Sequence, residues 1–377
     1  MNLNNIGIQE KHFGKNGNML NELKNIYKGK KIFLTGHTGF KGAWLLKILS
    51  ILQCEVKGYA LEPQNKDDLY NLISGDRLCN SVISDLRNNE SLESAIISFD
   101  PDFIFHLAAQ PLVRFSYEFP LETFEVNVNG TANVLNAARK LSKKCTIVLI
   151  TTDKVYQNNE WIYPYRENDR LGGYDPYSAS KACCELVIDS FKNSFFNLNK
   201  YSQHKKGIAV ARAGNVIGGG DWSKDRLVPD IINALNEQKE VVLRNPKSVR
   251  PWQFVLEPLA GYLLLGAKLF DDPIIFSSAY NFGPNSNDVL TVESMVEKSI
   301  KIYGNGRYKI DNQNNQPHEA GLLKLDISKA NEDLQWLPKY NSDEAIKKTI
   351  DWYKIFKEDI NKIEEFTEMQ IREYFHA

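Results

Sequence analysis

Between about Lys30 and Arg212, short continuous apolar runs alternate with longer stretches in which apolar residues recur at helical spacing. Apolar runs of this length are typical of strands whose two faces are both buried. The predicted strands are 31–35, 55–61, 81–84, 102–107, 146–151 and 207–212. The predicted helices between them are 44–52, 90–99, 121–141 and 176–196. Repeated strand–helix units predict a doubly wound α/β fold, with a parallel sheet covered by helices on both faces.

The regular alternation ends after Arg212, where residues 213–222 contain four glycines and shorter elements follow. We therefore expect a smaller C-terminal α/β domain that carries substrate contacts. The predicted division is an N-terminal, partly ordered extension (1–29), the doubly wound domain (30–213, with 250–283 returning to it), the smaller domain (214–249 and 284–358) and a charged helical tail (359–377).

Composition narrows the class of protein. The chain has 377 residues, 42% hydrophobic and 25% charged, with a net charge of −1. This balance argues against a nucleic-acid-binding surface, which needs a basic excess. The five cysteines contain no C-x-x-C pair, so we expect reduced thiols in a cytoplasmic protein and no metal site. No apolar run approaches the roughly 20 residues of a membrane span, and the polar N-terminus does not resemble a signal peptide.

A glycine-rich turn follows the first predicted strand. Gly36, Gly39 and Gly42 stand at G-x-x-G-x-x-G spacing at the start of a helix. Glycines allow a sharp turn and close approach to a pyrophosphate, and the helix N-terminus offers free N–H groups to its charge. A triphosphate-binding loop would end in Gly-Lys-Ser/Thr, which is missing here. The turn therefore predicts a Rossmann-type dinucleotide site formed by Gly36, His37, Thr38, Gly39, Phe40, Lys41 and Gly42.

Two acidic residues are candidates for the adenosine end of that dinucleotide. Glu62, about 20 residues after the turn, is the candidate ribose ligand, although a surface glutamate is an equally good interpretation. Asp85 could accept from the adenine amino group, or could be an ordinary turn or helix-cap residue. No arginine lies between Gly42 and Arg77. Because a 2′-phosphate needs a cation there, NAD is favoured over NADP.

A Tyr-x-x-x-Lys pair supplies the candidate chemistry. The chain has four such pairs, but only Tyr177/Lys181 opens a helix after the strand that ends at Thr152. Residues four apart share a helix face, so Lys181 can lie near the phenol and lower its pKa, which is ordinarily about 10. The phenolate could then take a proton from a substrate alcohol while hydride leaves for nicotinamide. Thr152 is placed to bind the same alcohol.

Taken together, these motifs resemble the extended short-chain dehydrogenase/reductase (NAD-dependent epimerase/dehydratase) family. Within it the chain resembles the sugar-nucleotide 4,6-dehydratases, and among these the type that acts on CDP-glucose. The resemblance covers residues 30 to about 352. It rests on the words TGHTGFKG, HLAAQPLVR, TTDKVY, GGYDPYSASK, ARAGNVIGGGDW, DRLVPD, VLRNP and RPWQFVLEPLAGYLLL.

The resemblance implies NAD that is held tightly and recycled. Tyr177 would remove the proton of the sugar 4-hydroxyl as hydride passes from C4 to NAD. The 4-ketone acidifies C5, water leaves across C5 and C6, and the hydride returns to C6. Asp153 matches the acid that protonates the C6 hydroxyl. Lys154 stands where other 4,6-dehydratases have glutamate as the C5 base; the CDP-glucose type is similar in having lysine, which leaves the identity of the base open.

Further site residues follow from the same resemblance. Cofactor contacts are expected from Leu86, Leu107, Ala108, Ala109, Asn127 and Thr151, together with Tyr177 and Lys181. Gln110 and Arg114 are expected to line the sugar pocket. The nucleotide diphosphate is expected to bind Asn215, Arg226, Leu227, Arg244 and Arg250, because arginine binds phosphate bidentately. Arg226 and Arg244 could instead be surface or structural charges.

Three alternatives remain open at the level of sequence. The first is a 4,6-dehydratase for another nucleotide sugar, and the second is a 4-epimerase or simple reductase, which needs Tyr177 and NAD but no Asp153/Lys154 pair. The third is a non-catalytic NAD-binding protein, which the intact Thr152, Tyr177 and Lys181 disfavour. A homodimer or homotetramer is expected by resemblance, through the predicted helices 121–141 and 176–196.

Overall fold

The computed structural model describes residues 19–311 and 322–376. Its strands are β1 (Lys31–Thr35), β2 (Glu55–Ala60), β3 (Asn80–Ile83), β4 (Phe103–His106), β5 (Cys145–Ile150), β6 (Lys206–Ala213), β7 (Val216–Ile217), β8 (Val241–Leu243), β9 (Val249–Arg250), β10 (Gln253–Phe254), β11 (Ala279–Phe282), β12 (Leu290–Thr291) and β13 (Tyr308–Ile310). Its helices are α1 (Met19–Tyr27), α2 (Phe40–Ile51), α3 (Leu69–Leu72), α4 (Asn89–Phe99), α5 (Val113–Glu118), α6 (Pro120–Phe124), α7 (Gly130–Ala138), α8 (Pro176–Ser194), α9 (Tyr201–His204), α10 (Leu227–Asn236), α11 (Leu256–Asp271), α12 (Pro273–Phe276), α13 (Val292–Tyr303), α14 (Ser328–Leu334), α15 (Ser342–Glu358) and α16 (Ile363–His376).

The central sheet has seven strands in the order β3-β2-β1-β4-β5-β6-β11, and every neighbouring pair is parallel. The order reverses between β1 and β4. In open parallel sheets ligands bind outside the carboxyl ends of the strands at such a reversal. The predicted doubly wound α/β fold is therefore confirmed, and its reversal point places the candidate site beyond Thr35 and His106.

Alternate residues of each strand enter two different apolar cores. On β5, Ile147 and Leu149 pack with helices α4, α7 and α8 on one face of the sheet. Val148 and Ile150 pack with α1, α2 and α11 on the other. Because both faces are buried, the strands have the continuous apolar runs that made them visible in the sequence.

A smaller α/β unit is built from the C-terminal half, as the change of pattern after Arg212 predicts. Strands β8 and β13 pair in parallel, and α10 and α13 pack beside them. They share a separate apolar cluster made of Ile231, Leu235, Val241, Leu243 and Val296. The exact boundaries of the two domains stay a prediction.

The fold begins earlier than Lys30. Helix α1 buries Leu20, Leu23 and Tyr27 against the main core, and the Tyr27 hydroxyl donates to the Leu263 carbonyl at 2.7 Å. These residues form one helix face, which explains why this part of the predicted extension is a packed element. Residues 1–18 of that extension lie outside the described residues.

The C-terminal segment also packs. Helix α16 buries Ile363, Ile371 and Phe375 in the same core as α11. The buried carboxylate of Glu257 on α11 accepts from the Tyr374 hydroxyl at 2.6 Å and from the backbone N–H of Tyr340 at 2.8 Å. The segment predicted as a tail is thus tied to the main domain.

The predicted helix 121–141 is three consecutive pieces. Helices α6 and α7 are joined by a π-helical turn, Glu125–Asn129. Such turns often occur at functional sites, and this one carries Asn127. Among the described residues, no helix is long and apolar enough to cross a membrane.

Candidate active site

Glycines let the glycine-rich turn pack closely against neighbouring backbone. Gly36 has φ +76°, and a Cβ there would lie 2.8 Å from the Ala108 backbone nitrogen. A Cβ at Gly42 would lie 1.9 Å from the Gly36 carbonyl oxygen, so this glycine lets α2 pack on the turn. Gly39 is the N-cap of α2 and makes no side-chain cap hydrogen bond. The N-terminal amides of α2 thus face a cradle that fits a pyrophosphate.

Side chains of the turn mostly point into the protein. His37 Nε2 and the Ser81 hydroxyl are hydrogen-bonded at 2.8 Å, and burial lowers the pKa of His37 to about 4. The Thr38 hydroxyl donates to the Leu61 carbonyl at 2.8 Å. These contacts hold the turn against β2 and β3. The contribution of His37 and Thr38 to cofactor binding stays a prediction.

Lys41 has a different environment from the rest of the turn. Its Nζ lies 3.4 Å from the hydroxyl of Tyr262 on α11. Burial, with smaller effects from the charges of Arg226 and Lys181, lowers the pKa of Lys41 to about 7. The negative charge of Asp153 acts in the opposite direction. The amine of Lys41 is therefore turned toward the catalytic end of the cleft.

The two acids proposed for the adenosine end differ in environment. Glu62 is exposed, directly after β2. The carboxylate of Asp85 is bound by Arg87, whose Nη2 lies 2.7 Å from Oδ2, and this hydrogen bond lowers the pKa of Asp85. Leu86 is buried, in contact range of Gly130 at the start of α7. An adenosine contact by Asp85 stays a prediction and would have to share the carboxylate with Arg87.

The segment after β4 is fixed from two sides. The Thr35 hydroxyl accepts from the backbone N–H groups of Leu107 and Ala108, both at 3.1 Å. Asn127 accepts from the backbone N–H of Gln110 at 2.8 Å and donates to the Ser180 hydroxyl at 2.8 Å. Asn127 thus braces the half-buried backbone of 107–110 against α8.

Gln110 uses its side chain within the protein. Its Nε2 donates to the Thr123 hydroxyl at 2.8 Å and its Oε1 accepts from the Leu112 backbone at 2.6 Å. These contacts shape the entry to α5. A direct sugar contact by Gln110 stays a prediction.

The carboxyl end of β5 carries the candidate acid. Thr152 caps a short 3₁₀ turn, Asp153–Val155, and its hydroxyl donates to Asp153 Oδ1 at 2.8 Å. Asn215 Nδ2 donates to the other oxygen, Oδ2, at 3.1 Å. A Cβ on Gly214 would lie 2.1 Å from this carboxylate. Asp153, which is 3% exposed, is thus held between Thr152 and the turn after β6.

Helix α8 presents the Tyr/Lys pair to that acid. Asp175 caps the helix by accepting from the Ser178 N–H at 2.9 Å, and Pro176 occupies the first helical position. Lys181 Nζ donates to the Ile150 carbonyl at 3.0 Å. Burial raises the pKa of Tyr177 to about 12, against a lowering hydrogen bond from Thr152. This direction is opposite to the one expected from the Tyr/Lys pair, because burial dominates in the protein alone.

Lys154 lies beside the same tyrosine. Its Nζ is 6.0 Å from the centre of the Tyr177 ring, over the ring face. Four of the five predicted catalytic residues are buried, and the fifth, Lys154, is half-buried; the buried ones are Thr152, Asp153, Tyr177 and Lys181. The structure therefore brings the predicted catalytic set together at one end of the sheet.

Carboxylates bind Arg226 and Arg244, which are predicted diphosphate ligands, and Arg114, which is predicted to line the sugar pocket. Arg226 Nη1 lies 2.9 Å from Asp221 Oδ2. Asp225 Oδ1 lies 3.5 Å from Arg114 Nη1 and 3.4 Å from Arg244 Nη1. Arg114 from α5 and Arg244 after β8 thus converge on one acid, which joins the two parts of the cleft.

The remaining predicted contacts lie in the smaller domain. Leu227 is the first residue of α10, next to Arg226. Arg250 ends β9, and its Nη1 donates to the Val249 carbonyl at 3.1 Å. Phosphate contacts by these residues stay predictions.

Several residues around the site were not predicted from the sequence. Gln253 Nε2 donates to the carbonyls of Gly214 and Phe282, both at 3.0 Å, and so supports the turn beneath Asp153. Glu185 lies four residues after Lys181, which puts it on the same helix face, and that spacing could have identified it. The described residues contain no cluster of three or more His, Cys, Asp or Glu side chains suited to a metal ion.

Comparisons with known proteins agree with this geometry. The family model described as GDP-mannose 4,6 dehydratase matches residues 33–349. A CDP-glucose 4,6-dehydratase of Salmonella typhimurium is 47% identical over 331 residues, covering 88% of this chain and 92% of the relative. A dTDP-glucose 4,6-dehydratase of Shigella flexneri is 22% identical, covering 86% and 92%.

Solved structures show the same fold. A dTDP-glucose 4,6-dehydratase from Bacillus anthracis in complex with NAD has a TM-score of 0.72 at 22% identity, covering 88% of this chain and 98% of that one. A UDP-glucuronic acid 4-epimerase from Bacillus cereus, in complex with UDP-glucuronic acid and NAD, has a TM-score of 0.74 at 21% identity, covering 86% and 99%. The resemblance to extended short-chain dehydrogenases/reductases is thereby confirmed, and the chain belongs to the GDP-mannose 4,6 dehydratase family.

Proposed function

We propose that this protein dehydrates CDP-D-glucose to CDP-4-dehydro-6-deoxy-D-glucose with NAD as a recycled cofactor. One observation supports the reaction type above others: a buried carboxylate, Asp153, lies directly beside Thr152 and the Tyr177/Lys181 pair. Oxidation at C4 alone needs no such acid, whereas loss of water does. The choice of CDP-glucose is supported by the 47% identity to the Salmonella enzyme of that name.

The glycine-rich turn would hold the pyrophosphate of NAD at the amides of α2. Gly36 lets this turn pack closely on the backbone of Ala108, and Gly42 lets α2 pack closely on the turn. When bound, NAD would supply the hydride acceptor for C4 of the sugar and the hydride donor for C6. Glu62 and Asp85 are the proposed adenosine contacts.

Tyr177 is the proposed base for the 4-hydroxyl proton. Burial raises the pKa of its phenol to about 12, so the phenolate has to be stabilised by positive charge in the working complex. Lys181, anchored on the Ile150 carbonyl one turn along α8, supplies one such charge. Thr152 also orients the substrate alcohol toward Tyr177.

Asp153 is the proposed acid for the departing C6 hydroxyl. Its two oxygens accept from Thr152 and Asn215, which fix the carboxyl group in one orientation. Lys154, over the Tyr177 ring, is the residue at the position of the C5 base. A lysine can act as a base only in its uncharged form.

Arginines at the far end of the cleft are the proposed diphosphate ligands. Arg226, Arg244 and Arg250 lie in the smaller domain or at its edge, and Leu227 follows Arg226. Asn215, in the turn after β6, is the fourth proposed polar ligand and also contacts Asp153. A diphosphate suits forked guanidinium donors. Gln110 and Arg114 line the sugar side of this path.

A substrate screen tests the proposal. The protein with NAD is incubated separately with CDP-, dTDP-, UDP- and GDP-linked hexoses, and formation of the 4-keto-6-deoxy product is followed by its absorbance in base and by mass loss of one water. Turnover of CDP-glucose is expected to exceed that of the other nucleotides. Water loss from another nucleotide sugar with CDP-glucose untouched would show that the nucleotide assignment is wrong.

Two variants test the roles. Tyr177→Phe is expected to abolish turnover and to retain NAD binding; full activity would remove its assigned role. Asp153→Asn is expected to oxidise C4 and to stop before water leaves, which separates a dehydratase from a 4-epimerase. Unimpaired water loss in that variant would refute the acid assignment.

The setting of the activity belongs to the same proposal. The cysteines are all free thiols, which supports a cytoplasmic protein that supplies deoxysugars for lipopolysaccharide or other polysaccharides.

Exposed Leu121 on α6 and Leu186 on α8 support pairing through these helices in a homodimer or homotetramer. Light scattering of the protein and of Leu186→Glu tests this, because the charge should dissociate such an interface.

A further inference from the structure

Helix α8 contacts the end of β5 at three positions spaced four residues apart. Tyr177 faces Thr152, whose side chain acts to lower the pKa of the phenol, and Lys181 Nζ donates to the Ile150 carbonyl at 3.0 Å. One turn further, Glu185 Oε1 accepts from the Thr151 hydroxyl at 2.6 Å. Residues at this spacing lie on one helix face, so the three contacts form a single polar seam along α8.

The third contact, between Glu185 and Thr151, is supported by a buried ion pair between Glu185 and Arg212. Arg212 on β6 donates to both oxygens of Glu185, with Nε–Oε1 and Nη2–Oε2 each 2.8 Å. Both side chains of this pair are 4% exposed. A buried bidentate pair fixes the direction of the carboxylate, and therefore fixes where the Thr151 hydroxyl must lie.

The Arg212 guanidinium also binds residues that follow the 3₁₀ turn Asp153–Val155. Arg212 Nη1 donates to the Tyr156 hydroxyl and to the Glu167 carbonyl, both at 2.8 Å. Tyr156 follows the 3₁₀ turn that carries Asp153 and Lys154. Thr151, before the segment Thr152–Val155, is thus anchored to Arg212 through Glu185. Tyr156, after this segment, is anchored to Arg212 directly.

We infer that Glu185 is a positioning residue, which fixes the catalytic end of β5 against α8 through the Thr151 hydroxyl. This inference rests on the proposed function. It also gives the Thr151 hydroxyl a role different from cofactor binding, since that hydroxyl is directed to Glu185. A misplacement of about 1 Å can cost about 100-fold in rate; loss of one of three anchors is expected to lower kcat about tenfold.

Thr151→Val tests the inference, because it removes the hydroxyl and keeps the shape. Changing Glu185 itself would leave the Arg212 guanidinium buried without its partner, and unfolding would obscure the result. Thr151→Ser, which restores the donor, is the rescue variant. Thr349→Val is the matched control, because its buried hydroxyl donates to the Ala345 carbonyl at 2.7 Å within α15.

The readouts are kcat, KM for CDP-glucose, Kd for NAD, the pH profile of kcat and Tm. If Glu185 is a positioning residue, Thr151→Val should lower kcat about tenfold and shift the pH profile of kcat, with KM and the Kd for NAD unchanged. Thr151→Ser should recover most of the lost kcat. Thr349→Val should lower Tm alone. Wild-type kcat in Thr151→Val, a loss confined to NAD affinity, or no recovery in Thr151→Ser would overturn the inference. Failure of the wild-type protein to dehydrate CDP-glucose would instead overturn the proposed function.

Discussion

The side-chain amide of Asn215 donates a hydrogen bond to the carboxylate of Asp153, with 3.1 Å between Nδ2 and Oδ2. Asn215 was expected to bind phosphate, and this contact gives it a second role in fixing the acid. The backbone at Asn215 has φ +52°, a left-handed conformation in which asparagine is tolerated better than most residues. A residue that replaces Asn215 therefore has to keep this left-handed backbone conformation, so that only the loss of the side-chain amide is tested.

Asn215→Gly is expected to slow water loss about tenfold more than C4 oxidation, because glycine keeps the left-handed backbone and removes the amide. The measurement is rapid-mixing absorbance of reduced cofactor, which should accumulate before product forms. Gln238→Gly, at an exposed position with φ +55°, is the control. A rise in KM with no accumulation would show that Asn215 serves only the phosphate.

Gly214→Ala is expected to displace the acid directly. The added Cβ would stand 2.1 Å from the Asp153 carboxylate, and the side chain has to move away from the C6 hydroxyl. Dehydration should fall by about 100-fold, while NAD binding is retained. Gly283→Ala is the control, since its nearest neighbour, Leu325 Cβ, would be 3.5 Å away. Normal dehydration by Gly214→Ala would mean that Asp153 need not occupy this position.

Asp225→Asn is expected to tighten binding of CDP-glucose. The carboxylate of Asp225 lies 3.5 Å from Arg114 and 3.4 Å from Arg244, so it competes with the substrate for both guanidinium groups. Half-exposed pairs of this kind contribute up to about 1 kcal/mol, which corresponds to about fivefold in Kd. Titration calorimetry compares the variant with Glu237→Gln, which breaks an exposed pair with Lys239. Weaker binding would identify Asp225 as a substrate ligand.

Glu257→Gln is expected to change how stability depends on pH. Burial raises the pKa of Glu257 from 4.5 to about 7. A carboxyl whose folded-state pKa is raised stabilises the fold fully below its unfolded pKa and loses that contribution as pH rises through 7. The loss amounts to about 3 kcal/mol between pH 4.5 and 7. Glutamine does not titrate, so the variant should lack this decrease.

Urea unfolding at several pH values between 4.5 and 7.5 measures how Glu257 affects the free energy of unfolding. The free energy of unfolding of the wild-type protein should fall, relative to that of Glu257→Gln, as pH rises. Glu365→Gln, at an exposed position on α16, is the control and should follow the wild type. Parallel curves for Glu257→Gln and wild type would show that Glu257 is charged throughout.

The six strands predicted between Lys31 and Arg212 are all present, because strands buried on both faces are visible as apolar runs. The seventh, β11, escaped prediction. Its four residues, Ala279–Phe282, pair with β6, which is separated from them in sequence by helix α11, and no local pattern indicates that pairing. Helices α1 and α16 were underestimated for a related reason, since their apolar faces are satisfied by distant parts of the chain.

Catalytic residue types were predictable because their chemistry depends on local spacing, as with Tyr177 and Lys181. Their environment was less predictable. The upward direction of the Tyr177 pKa depends on burial by the whole fold. The contacts of Asn215, Asp225 and Glu185 join residues from different elements, and pairings of that kind have no signature in a single sequence.

Helix α1 emerges from the ribosome long before helix α11, against which it packs in the folded protein. Its Tyr27 hydroxyl is satisfied by the Leu263 carbonyl, 236 positions later in the chain. At synthesis rates of about 5–20 residues per second, the wait is roughly 10 to 50 s. During that time Leu20, Leu23 and Tyr27 lack the cover that α11 provides in the folded protein. We therefore expect translation speed to affect the yield of the folded enzyme.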